Sequence, residues 1–562
     1  MASLVGKRRG GRTYYYLVES ARVAGKPRIV AQQYLGSAEE LAARLSAAGP
    51  GEPTRTRHRA FGELAAAWSV LQRLEVTAII DQVVGARRAD AAASVGTYLA
   101  LATLNRVVAP RSKLAFAAWW QTTAGDRLVR LPAAALDHRR FWDAMDQVTV
   151  ADLRVIERAI AAQMVEVFDL DLAGLVLDMT NFATFIDSAN TRNTIAARGH
   201  AKQKRFDLRL VGVGLVVTSD GGVPILHHAY QGNRPDVTQF GAVIEELVAR
   251  FGALAQATDT LTVVYDAGCD STDGQADIEA SPLHFVGSLR PSDHPDLLAI
   301  PARRFGVVDP ERFPGLTALE ARTTALGQDR RVILTHSETF HAAQARGFEQ
   351  TLAKARRRLG ELQARLARGR TRRPRPKVEA EIRQILAPRW LDRVIVWELA
   401  GDTPASLRLW WRTDPAAKRR LAAEVFGKRI LFTDREDWPL VQVVAAYRSQ
   451  ADVEAGFRQL KDPKVVSFSP MFHWTDHKIR VHVFYCVLAL AVAHLLRRQA
   501  AQAGLQLSVR ELLATLAGIQ ETVLLYQGAR GRPRARHVLT EMDPVQQRLF
   551  DLFDLAAYAP RR

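Results

Sequence analysis

The pattern of apolar and polar positions divides the chain into helical and strand-like stretches. Residues 13–19 and 28–34 are rich in strand-forming residues and flank a turn at Gly25-Lys26-Pro27, which predicts a β-hairpin. A helix is expected next, over the stretch EELAARLSAAG. From Phe61 to about Leu170, apolar residues recur at spacings of three and four, which predicts a domain built of helices.

The pattern changes after residue 170, where short apolar runs alternate with turn-forming residues. The runs that predict strands are 172–180, 208–230 as two strands joined by a Ser219-Asp220-Gly221-Gly222 turn, 261–268 and 283–289. A helix is expected over 237–254, between the third and fourth of these strands. Strands in meander order, followed by a helix and further strands, predict a mixed sheet covered by helices.

The second half of the chain combines further strands with long helices. Strands are expected over 332–339, 394–400, 406–412 and 429–434, and helices over 438–461 and 508–526. Between the two helices lies the apolar run Val481–Leu496, which contains His482 and His494. This run is short for a membrane span, so we expect a buried helix.

Charge narrows the class of partner. Lys and Arg total 77 against 59 Asp and Glu, a net charge of +18. Such an excess favours a polyanionic partner, because each phosphate that a cation neutralises releases counterions. Codon usage in a GC-rich genome would also enrich Arg, so charge alone does not name the partner. The helical region 61–170, with its scattered Arg, accordingly suits either DNA recognition or a scaffold role.

The strongest local charge lies in the stretch Lys354–Lys377, which holds eleven Lys and Arg residues and one acid, Glu361. This excess favours contact with a nucleic-acid backbone over a merely solvated helix. The two cysteines, Cys269 and Cys486, are far apart and fit a reducing compartment. The N-terminal residues lack the apolar core of a signal peptide, so we expect a cytoplasmic protein without a membrane partner.

Three carboxylates stand out by their positions. Asp178 lies at the end of the strand predicted over 172–180, Asp266 ends the later strand VVYDAG, and Glu454 lies on a predicted helix. Taken singly, an Asp at a strand end is more often a turn or capping residue. Together, acids at strand ends can converge with one from a neighbouring helix, and such oxygen ligands suit Mg²⁺ or Mn²⁺.

The segment Tyr447-Arg448-Ser449-Gln450-Ala451-Asp452-Val453-Glu454, continued to Lys461, resembles a known family signature. It is similar to that of DDE-class insertion-sequence transposases of the insertion-sequence-four-like superfamily: Tyr, two residues, Arg, three residues, Glu, six residues, Lys. Tyr447, Glu454 and Lys461 fall in register, whereas Gln450 stands where many members have Arg. The stretches that also resemble this family are DMTNF, RGHAKQKRFDLRLVGVGLVV, YDAG, HFVGSLRPSDHPDLL and KIRVHVFYCVLALAVAHLL.

The resemblance implies an α/β fold with a ribonuclease-H-like catalytic core. A β-rich insertion domain would interrupt this core, since the interval from Asp266 to Glu454 is too long for a bare connection. An N-terminal β-hairpin and an all-helical domain would precede it. The expected domains are 1–58 (hairpin and helix), 59–170 (helical, DNA-binding), 171–298 (first part of the core), 299–428 (insertion with the basic helix), 429–500 (second part of the core, with the Glu-bearing helix) and 501–562 (C-terminal helical region).

The resemblance also implies a function. A bacterial insertion-sequence transposase binds terminal inverted repeats in double-stranded DNA, hydrolyses the element ends and joins the freed 3′-OH to target DNA, as a homodimer in the synaptic complex. Asp178, Asp266 and Glu454 would hold two Mg²⁺ ions, with Mn²⁺ as a substitute. Two alternatives remain open: an inactive or domesticated DNA-binding derivative, and a metal-dependent nuclease that only hydrolyses.

The expected DNA contacts come from the same resemblance. Tyr447 and Lys461 lie seven residues to either side of Glu454, so on one helix all three would share a face. Arg458 would pair with Glu454 or contact phosphate. Either Trp410 or Trp411, with Trp397 third, would stack on a flipped base or pack in the protein. The full set of expected contacts is Tyr447, Arg448, Gln450, Arg458, Lys461, Trp410, Trp411 and Lys202.

Overall fold

The computed structural model describes residues 2–23, 25–47, 52–85, 89–187, 189–199, 207–370, 372–526 and 534–561. Its strands are β1 (Ala2–Arg9), β2 (Arg12–Val23), β3 (Lys26–Ser37), β4 (Arg55–Ala60), β5 (Gly174–Thr184), β6 (Arg209–Thr218), β7 (Pro224–Gln231), β8 (Thr262–Val264), β9 (His284–Leu289), β10 (Gly306–Val307), β11 (Leu316–Ala325), β12 (Gln328–Ser337), β13 (Ile395–Ala400), β14 (Arg408–Thr413), β15 (Lys428–Thr433), β16 (Gln520–Tyr526) and β17 (Arg534–Leu539).

The helices follow the same chain order. They are α1 (Ala38–Ala47), α2 (Gly62–Arg73), α3 (Val76–Val84), α4 (Val95–Val108), α5 (Phe116–Trp120), α6 (His138–Asp146), α7 (Val150–Phe168), α8 (Phe240–Thr258), α9 (Thr272–Glu279), α10 (Pro295–Ala299), α11 (Glu338–Ala367), α12 (Arg375–Leu386), α13 (Pro415–Val425), α14 (Leu440–Arg448), α15 (Gln450–Lys461), α16 (Asp476–Gln502), α17 (Val509–Ala517) and α18 (Pro544–Leu552).

The chain divides into two compact units. The smaller comprises Met1–Ala65, Trp120–Leu128 and Ala514–Arg562, and the larger comprises Ala66–Trp119 and Val129–Leu513.

The smaller unit contains two antiparallel sheets. The expected N-terminal hairpin is present as β2 and β3, and β1 adds a third strand that the pattern did not predict. The second sheet has the order β17-β16-β4. Its strand β16 corrects the helix predicted over 508–526, because α17 ends at Ala517 and residues Gln520–Tyr526 pair with strands on both sides. Gly518 interrupts the helical pattern, and ladder bonds to β4 and β17 then favour the extended chain.

The larger unit is built around a nine-stranded sheet with the order β10-β11-β12-β15-β9-β8-β5-β6-β7. The pairs β5–β8 and β8–β9 are parallel, and the other pairs are antiparallel. This confirms the predicted mixed sheet. The strand expected to end near residue 180 continues to Thr184, so Asp178 lies inside β5 rather than at its end.

The helix predicted over 438–461 is two helices, α14 and α15, which meet at Ser449. The Ser449 amide donates to the Ala446 carbonyl at 3.2 Å, and the Asp452 amide donates to the Ser449 carbonyl at 2.9 Å. These bonds span three residues rather than the four of an α-helix, so the chain tightens and turns here. The predicted face shared by all three residues is therefore wrong for Tyr447, which lies on α14, whereas Glu454 and Lys461 lie together on α15.

The strands expected in the insertion 299–428 belong to different sheets. Strands β11 and β12 extend the main sheet through β15, whereas β13 and β14 form a separate two-stranded sheet. The basic stretch spans the end of α11 and the start of α12. Part of its charge is paired, since Arg365 and Arg373 both bind Glu381, at 2.7 and 2.9 Å. The cations available to a polyanion are thus fewer than the sequence indicates.

Helix α16 forms the centre of the larger unit and confirms the predicted buried helix. Within the described ranges, this one helix has the length and apolar composition of a membrane span, and 94% of its most apolar window is buried inside the structure. The two histidines of the predicted apolar run have partners. The His482 Nε2 bonds to the Phe468 carbonyl at 2.8 Å, and the His494 Nε2 bonds to the Gln459 side chain at 2.9 Å.

Candidate active site

One face of β5 carries Asp178 towards helix α15. The Lys461 ammonium donates to the Thr180 hydroxyl at 2.6 Å and lies 5.4 Å from the centroid of the Phe182 ring. Thr180 and Phe182 therefore face α15. Alternate residues of a strand point to the same side of the sheet. Asp178 consequently faces the helix that bears Glu454 and Lys461.

Asp266 lies next to Asp178 by the register of the sheet. In the parallel pair β5–β8, Val176 is opposite Val264. Asp178 and Asp266 each follow this pair by two residues, on neighbouring chains that run in the same direction. The Asp266 carboxylate accepts a hydrogen bond from the Gly268 amide at 2.8 Å, and the Asp178 carboxylate accepts one from the Met179 amide at 2.7 Å. Backbone amides thus orient both acids.

The carboxylates of Asp266 and Asp178 both act on the thiol of Cys269. Cys269 is buried in the short turn that follows Asp266. Burial raises the pKa of its thiol well above the ordinary value, and the carboxylates of Asp266 and Asp178 raise it further. Burial also raises the pKa of Asp270 to about 7, which the Arg290 guanidinium opposes and the Asp266 carboxylate reinforces. Negative charge is therefore concentrated at this edge of the sheet.

Glu454 lines a different cavity from Asp266. It is exposed on α15 and lines a cavity of about 410 Å³ with Arg429, Tyr447 and Gln450. Asp266 lines a second cavity, of about 200 Å³, to which Arg429 and Tyr447 also contribute. In the part of the chain that the structure describes, no three His, Cys, Asp or Glu side chains are grouped closely enough to hold a metal ion. The register of the sheet therefore sets Asp178 beside Asp266, and Glu454 lines the neighbouring cavity.

Tyr447 connects helix α14 to the loop after Asp266. Its buried hydroxyl donates to the Ser288 hydroxyl at 3.0 Å and accepts from the Arg429 guanidinium at 3.1 Å. Ser288 in turn accepts a hydrogen bond from the Ala267 amide at 3.1 Å. The sequence did not single out Ser288 or Arg429. Their strands, β9 and β15, were predicted, but the pairing of their side chains with Tyr447 depends on the tertiary fold.

Tyr447→Phe is expected to lower the free energy of unfolding by about 1–2 kcal/mol, because it leaves Ser288 and Arg429 without their shared partner. It should also slow DNA cleavage, since the loop after Asp266 loses its link to α14. Urea denaturation and a cleavage assay measure the two effects. The matched control is Tyr98→Phe, which removes one buried hydrogen bond, to the Ala135 carbonyl at 3.0 Å. Equal cleavage rates in the two variants would contradict the proposed link.

The other expected contacts on α14 and α15 differ in exposure. The exposed Arg448 places its guanidinium 5.0 Å from the centroid of the Phe313 ring, and Arg458 is also exposed. Gln450 is buried, and its amide nitrogen makes no hydrogen bond to the described residues. Gln450 lines the same cavity as Glu454. The cavity wall therefore combines the Glu454 carboxylate, the guanidinium groups of Arg429 and Arg448, and the buried Gln450 amide.

The tryptophans lie on the separate sheet of β13 and β14. Trp397 is opposite Trp411 across the pair, and Trp410 is the next residue along β14. Trp410 is 49% exposed, whereas Trp411 is half-buried, with its indole nitrogen inside and without a hydrogen bond to the described residues. The two consecutive tryptophans of β14 thus differ in exposure. Lys202 lies outside the described residues.

Comparison with known proteins identifies the family. Residues 173–468, more than half of the chain, match the sequence model of the family described as Transposase DDE domain. The chain belongs to the DDE transposase family. The matched segment of this transposase includes Asp178, Asp266 and Glu454, and the family assignment makes the chain an enzyme that acts on DNA.

Two further comparisons were made with the DDE transposase chain. No curated protein matches it. Among solved structures, it is similar to the cryo-EM structure of a piggyBac transposase synaptic complex with hairpin DNA, at 9% identity and a TM-score of 0.37. That similarity covers 83% of this chain and 82% of the other.

Proposed function

We propose that this DDE transposase cleaves the ends of a bacterial insertion sequence and joins them to target DNA. Asp178, Asp266 and Glu454 would be the ligands of two Mg²⁺ ions, with Mn²⁺ as a substitute. The observation that carries the proposal is the register of β5 and β8, which sets Asp178 beside Asp266 on the sheet face covered by the Glu454 helix. A pair of adjacent carboxylates is the minimal oxygen donor set for such an ion.

The donor set fits a divalent cation. All three side chains offer carboxylate oxygens, which Mg²⁺ prefers. Helix α15 is already held against the Asp178 face of β5 through the Lys461–Thr180 hydrogen bond. Glu454 precedes Lys461 by two helical turns, so it lies along the same face of the sheet. Bound ions would activate the attacking oxygen and stabilise the leaving oxygen of a phosphodiester.

The remaining residues of the signature would position DNA. Lys461 lies beside the Asp178 strand, where an ammonium can bind the phosphate that is cut. Exposed Arg448 and Arg458 would contact neighbouring phosphates. Tyr447 and Gln450 are buried beside Glu454, so we propose that they shape the cavity wall and meet the backbone only at its edge.

Trp410 and Lys202 complete the proposed contacts. The indole of Trp410 is exposed and available to stack on a flipped base, and Trp411 would support it from the protein side. Lys202 would bind backbone phosphate. These assignments rest on the similarity of the chain to insertion-sequence-four-like transposases.

The sheet supports a ribonuclease-H-like core. The strand order β7-β6-β5-β8-β9 is an antiparallel meander followed by two parallel strands. We propose the core as residues 171–298 and 429–500, interrupted by the insertion 299–428, with 1–58, 59–170 and 501–562 as flanking domains. We also propose that the protein acts in the cytoplasm and pairs two element ends as a homodimer.

A strand-transfer assay tests the proposal. Purified full-length protein, Mg²⁺ and a duplex carrying the inverted repeats that flank the gene should yield cut ends. Pre-cut ends with a free 3′-OH should become joined to a supercoiled plasmid. Cutting without joining would support the nuclease alternative, and binding without either reaction would support an inactive derivative.

A further inference from the structure

A second cavity in the larger unit combines aromatic and basic side chains. It has a volume of about 250 Å³, and its principal walls are Arg106, Lys113, Trp142, Phe472, His473 and Tyr485. We call it the Lys113 cavity. Ligand sites for drug-sized molecules start at about 300 Å³, so this cavity suits one small planar group. It shares no lining residue with the cavities of Glu454 and Asp266.

The floor of the Lys113 cavity is basic and buried. Lys113 is 6% exposed, and its ammonium donates to the Tyr485 hydroxyl at 3.1 Å and lies 4.2 Å from the centroid of that ring. Arg106 is also buried and donates to the Ser469 carbonyl at 2.8 Å. Its Nε atom is buried without a hydrogen bond to the described residues. Arg106, which also donates to the Ser467 and Pro470 carbonyls, and Lys113 thus provide the basic groups of the cavity.

The floor lacks a compensating acid. Among the described residues that line the cavity, none is Asp or Glu. Burial, with the Arg106 guanidinium, holds the pKa of Lys113 well below its ordinary value. Burial and the same cations lower the pKa of His473 to about 3, so its imidazole is neutral. A buried cation is costly unless paired, so a bound anion would stabilise the charged forms of Arg106 and Lys113.

The rim of the Lys113 cavity is an exposed aromatic patch. Trp142 is 40% exposed and Phe472 is 62% exposed. Phe472 packs against Phe185, with ring centroids 6.2 Å apart, and Phe185 is itself half exposed. Exposed aromatic clusters of this kind mark binding surfaces. Aromatic rings above cations form the arrangement that binds single-stranded nucleic acid, because bases stack and phosphates pair.

The position of the cavity relative to the acids fits a DNA substrate. Strand β5 continues from Asp178 to Thr184, and Phe185, which packs against Phe472 of the cavity rim, follows directly. Six residues of strand cover about 20 Å at about 3.3 Å each. A DNA strand advances about 3.4 Å per nucleotide. The length of β5 from Asp178 to the cavity rim therefore corresponds to about six nucleotides. A single DNA strand can thus reach both Asp178 and the cavity.

We propose that the Lys113 cavity binds one unstacked nucleotide of the DNA substrate. Its phosphate would lie beside the Lys113 ammonium, and its base would stack on Trp142 and Phe472. The inference rests on the proposed function, because it takes DNA as the substrate. It adds a nucleotide-binding site to the helical region that is separate from Trp410.

Binding of a short, fluorescein-labelled single-stranded oligothymidylate to the full-length protein tests this site by fluorescence anisotropy. Trp142→Ala and Phe472→Ala should each weaken binding by about 5- to 100-fold, the loss expected when one base loses an aromatic partner. Lys113→Met should weaken binding and lower the slope of log affinity against log salt by about one. Val155→Ala, an exposed apolar residue on α7, is the matched control and should bind like the wild type.

Each outcome decides the inference. Wild-type affinity for the oligonucleotide in both Trp142→Ala and Phe472→Ala would overturn it. It would also be overturned if these variants changed self-association, measured by sedimentation, without changing oligonucleotide binding. If Lys113→Met fails to fold, the two exposed aromatic variants decide alone. Asp178→Asn should bind the oligonucleotide normally and yet not cut, so failure of the catalytic proposal and failure of this site give different results.

Discussion

Asp178→Asn is expected to reduce DNA cleavage by at least about 1,000-fold, equivalent to about 4 kcal/mol of transition-state stabilisation. The substitution keeps the size of the side chain but removes the negative charge that would hold a divalent cation. The strand should be preserved, because the amide oxygen can still accept the Met179 amide hydrogen bond seen at 2.7 Å. Cleavage of end-labelled DNA and gel-shift binding measure the two properties. Binding should stay within about twofold of wild type.

Asp266→Asn and Glu454→Gln should likewise reduce cleavage and leave DNA binding intact. Because each variant changes one acid, each tests the assignment of that acid alone. The matched controls are Asp277→Asn on α9 and Glu361→Gln on α11, both exposed acids away from the sheet edge. Glu454 is the most informative of the three, because it lines a cavity that includes neither Asp178 nor Asp266. Cleavage at the wild-type rate by Glu454→Gln would remove it from the ligand set and leave the two Asp assignments intact.

Arg250→Met is expected to lower the free energy of unfolding by about 3–5 kcal/mol, the largest stability loss that we foresee. Arg250 on α8 and His227 on β7 both pair with the Glu157 carboxylate of α7, and Arg250 also binds Glu246 at 3.0 Å. The side chains of Glu157, His227 and Arg250 are all buried or nearly so. The substitution leaves a buried carboxylate without its guanidinium partner.

Denaturant unfolding measures this loss, and two variants control it. Arg140→Met breaks an exposed pair with Asp143 and should cost less than about 1 kcal/mol. The double variant Glu157→Gln/Arg250→Met removes both charges and should recover part of the stability. A loss in Arg250→Met no larger than in Arg140→Met would show that the network does not stabilise the larger unit.

The same network predicts a pH dependence. Burial raises the pKa of Glu157, but the charges of His227 and Arg250 outweigh it and lower the pKa to about 2, against an ordinary 4.5. A depressed carboxyl pKa contributes stability that is fully present above about pH 4.5 and is lost as the pH falls towards 2. The wild type should therefore lose stability across this window, and Arg250→Met should lose less.

Local pattern predicted much of the sheet but little of its side-chain pairing. The apolar runs around Asp178 and Asp266 gave the strands and the mixed sheet, since alternation and turn residues are local signals. The extension of β5 to Thr184 was missed because its last residues gain order from pairing with Arg209 and Leu210 of β6. Pairing between segments distant in the sequence cannot be predicted from the local pattern of one strand.

The break at Ser449 was missed for a different reason. The apolar spacing of residues 438–461 suits one continuous helix, and Ser is tolerated within helices. The break comes from anchoring: Tyr447 is held by Ser288 of β9, and Lys461 is held by Thr180 of β5. Two different strands thus fix the two halves. The family signature located the right residues, but it could not give the shape of the backbone that carries them.

The pairing of β12 with β15 determines which part of the insertion can be exchanged without exposing the main sheet. All six residues of β15, Lys428–Thr433, pair with β12 on one side, and four of them, Ile430–Thr433, pair with β9 on the other. Excision of residues 299–428 would strip one side of β15 and expose an unpaired strand edge, which is prone to aggregation. The separate sheet of β13 and β14 is not hydrogen-bonded to the main sheet through a strand ladder. Exchange between relatives would therefore preserve the β11–β12 hairpin with the core and vary the segment beyond it.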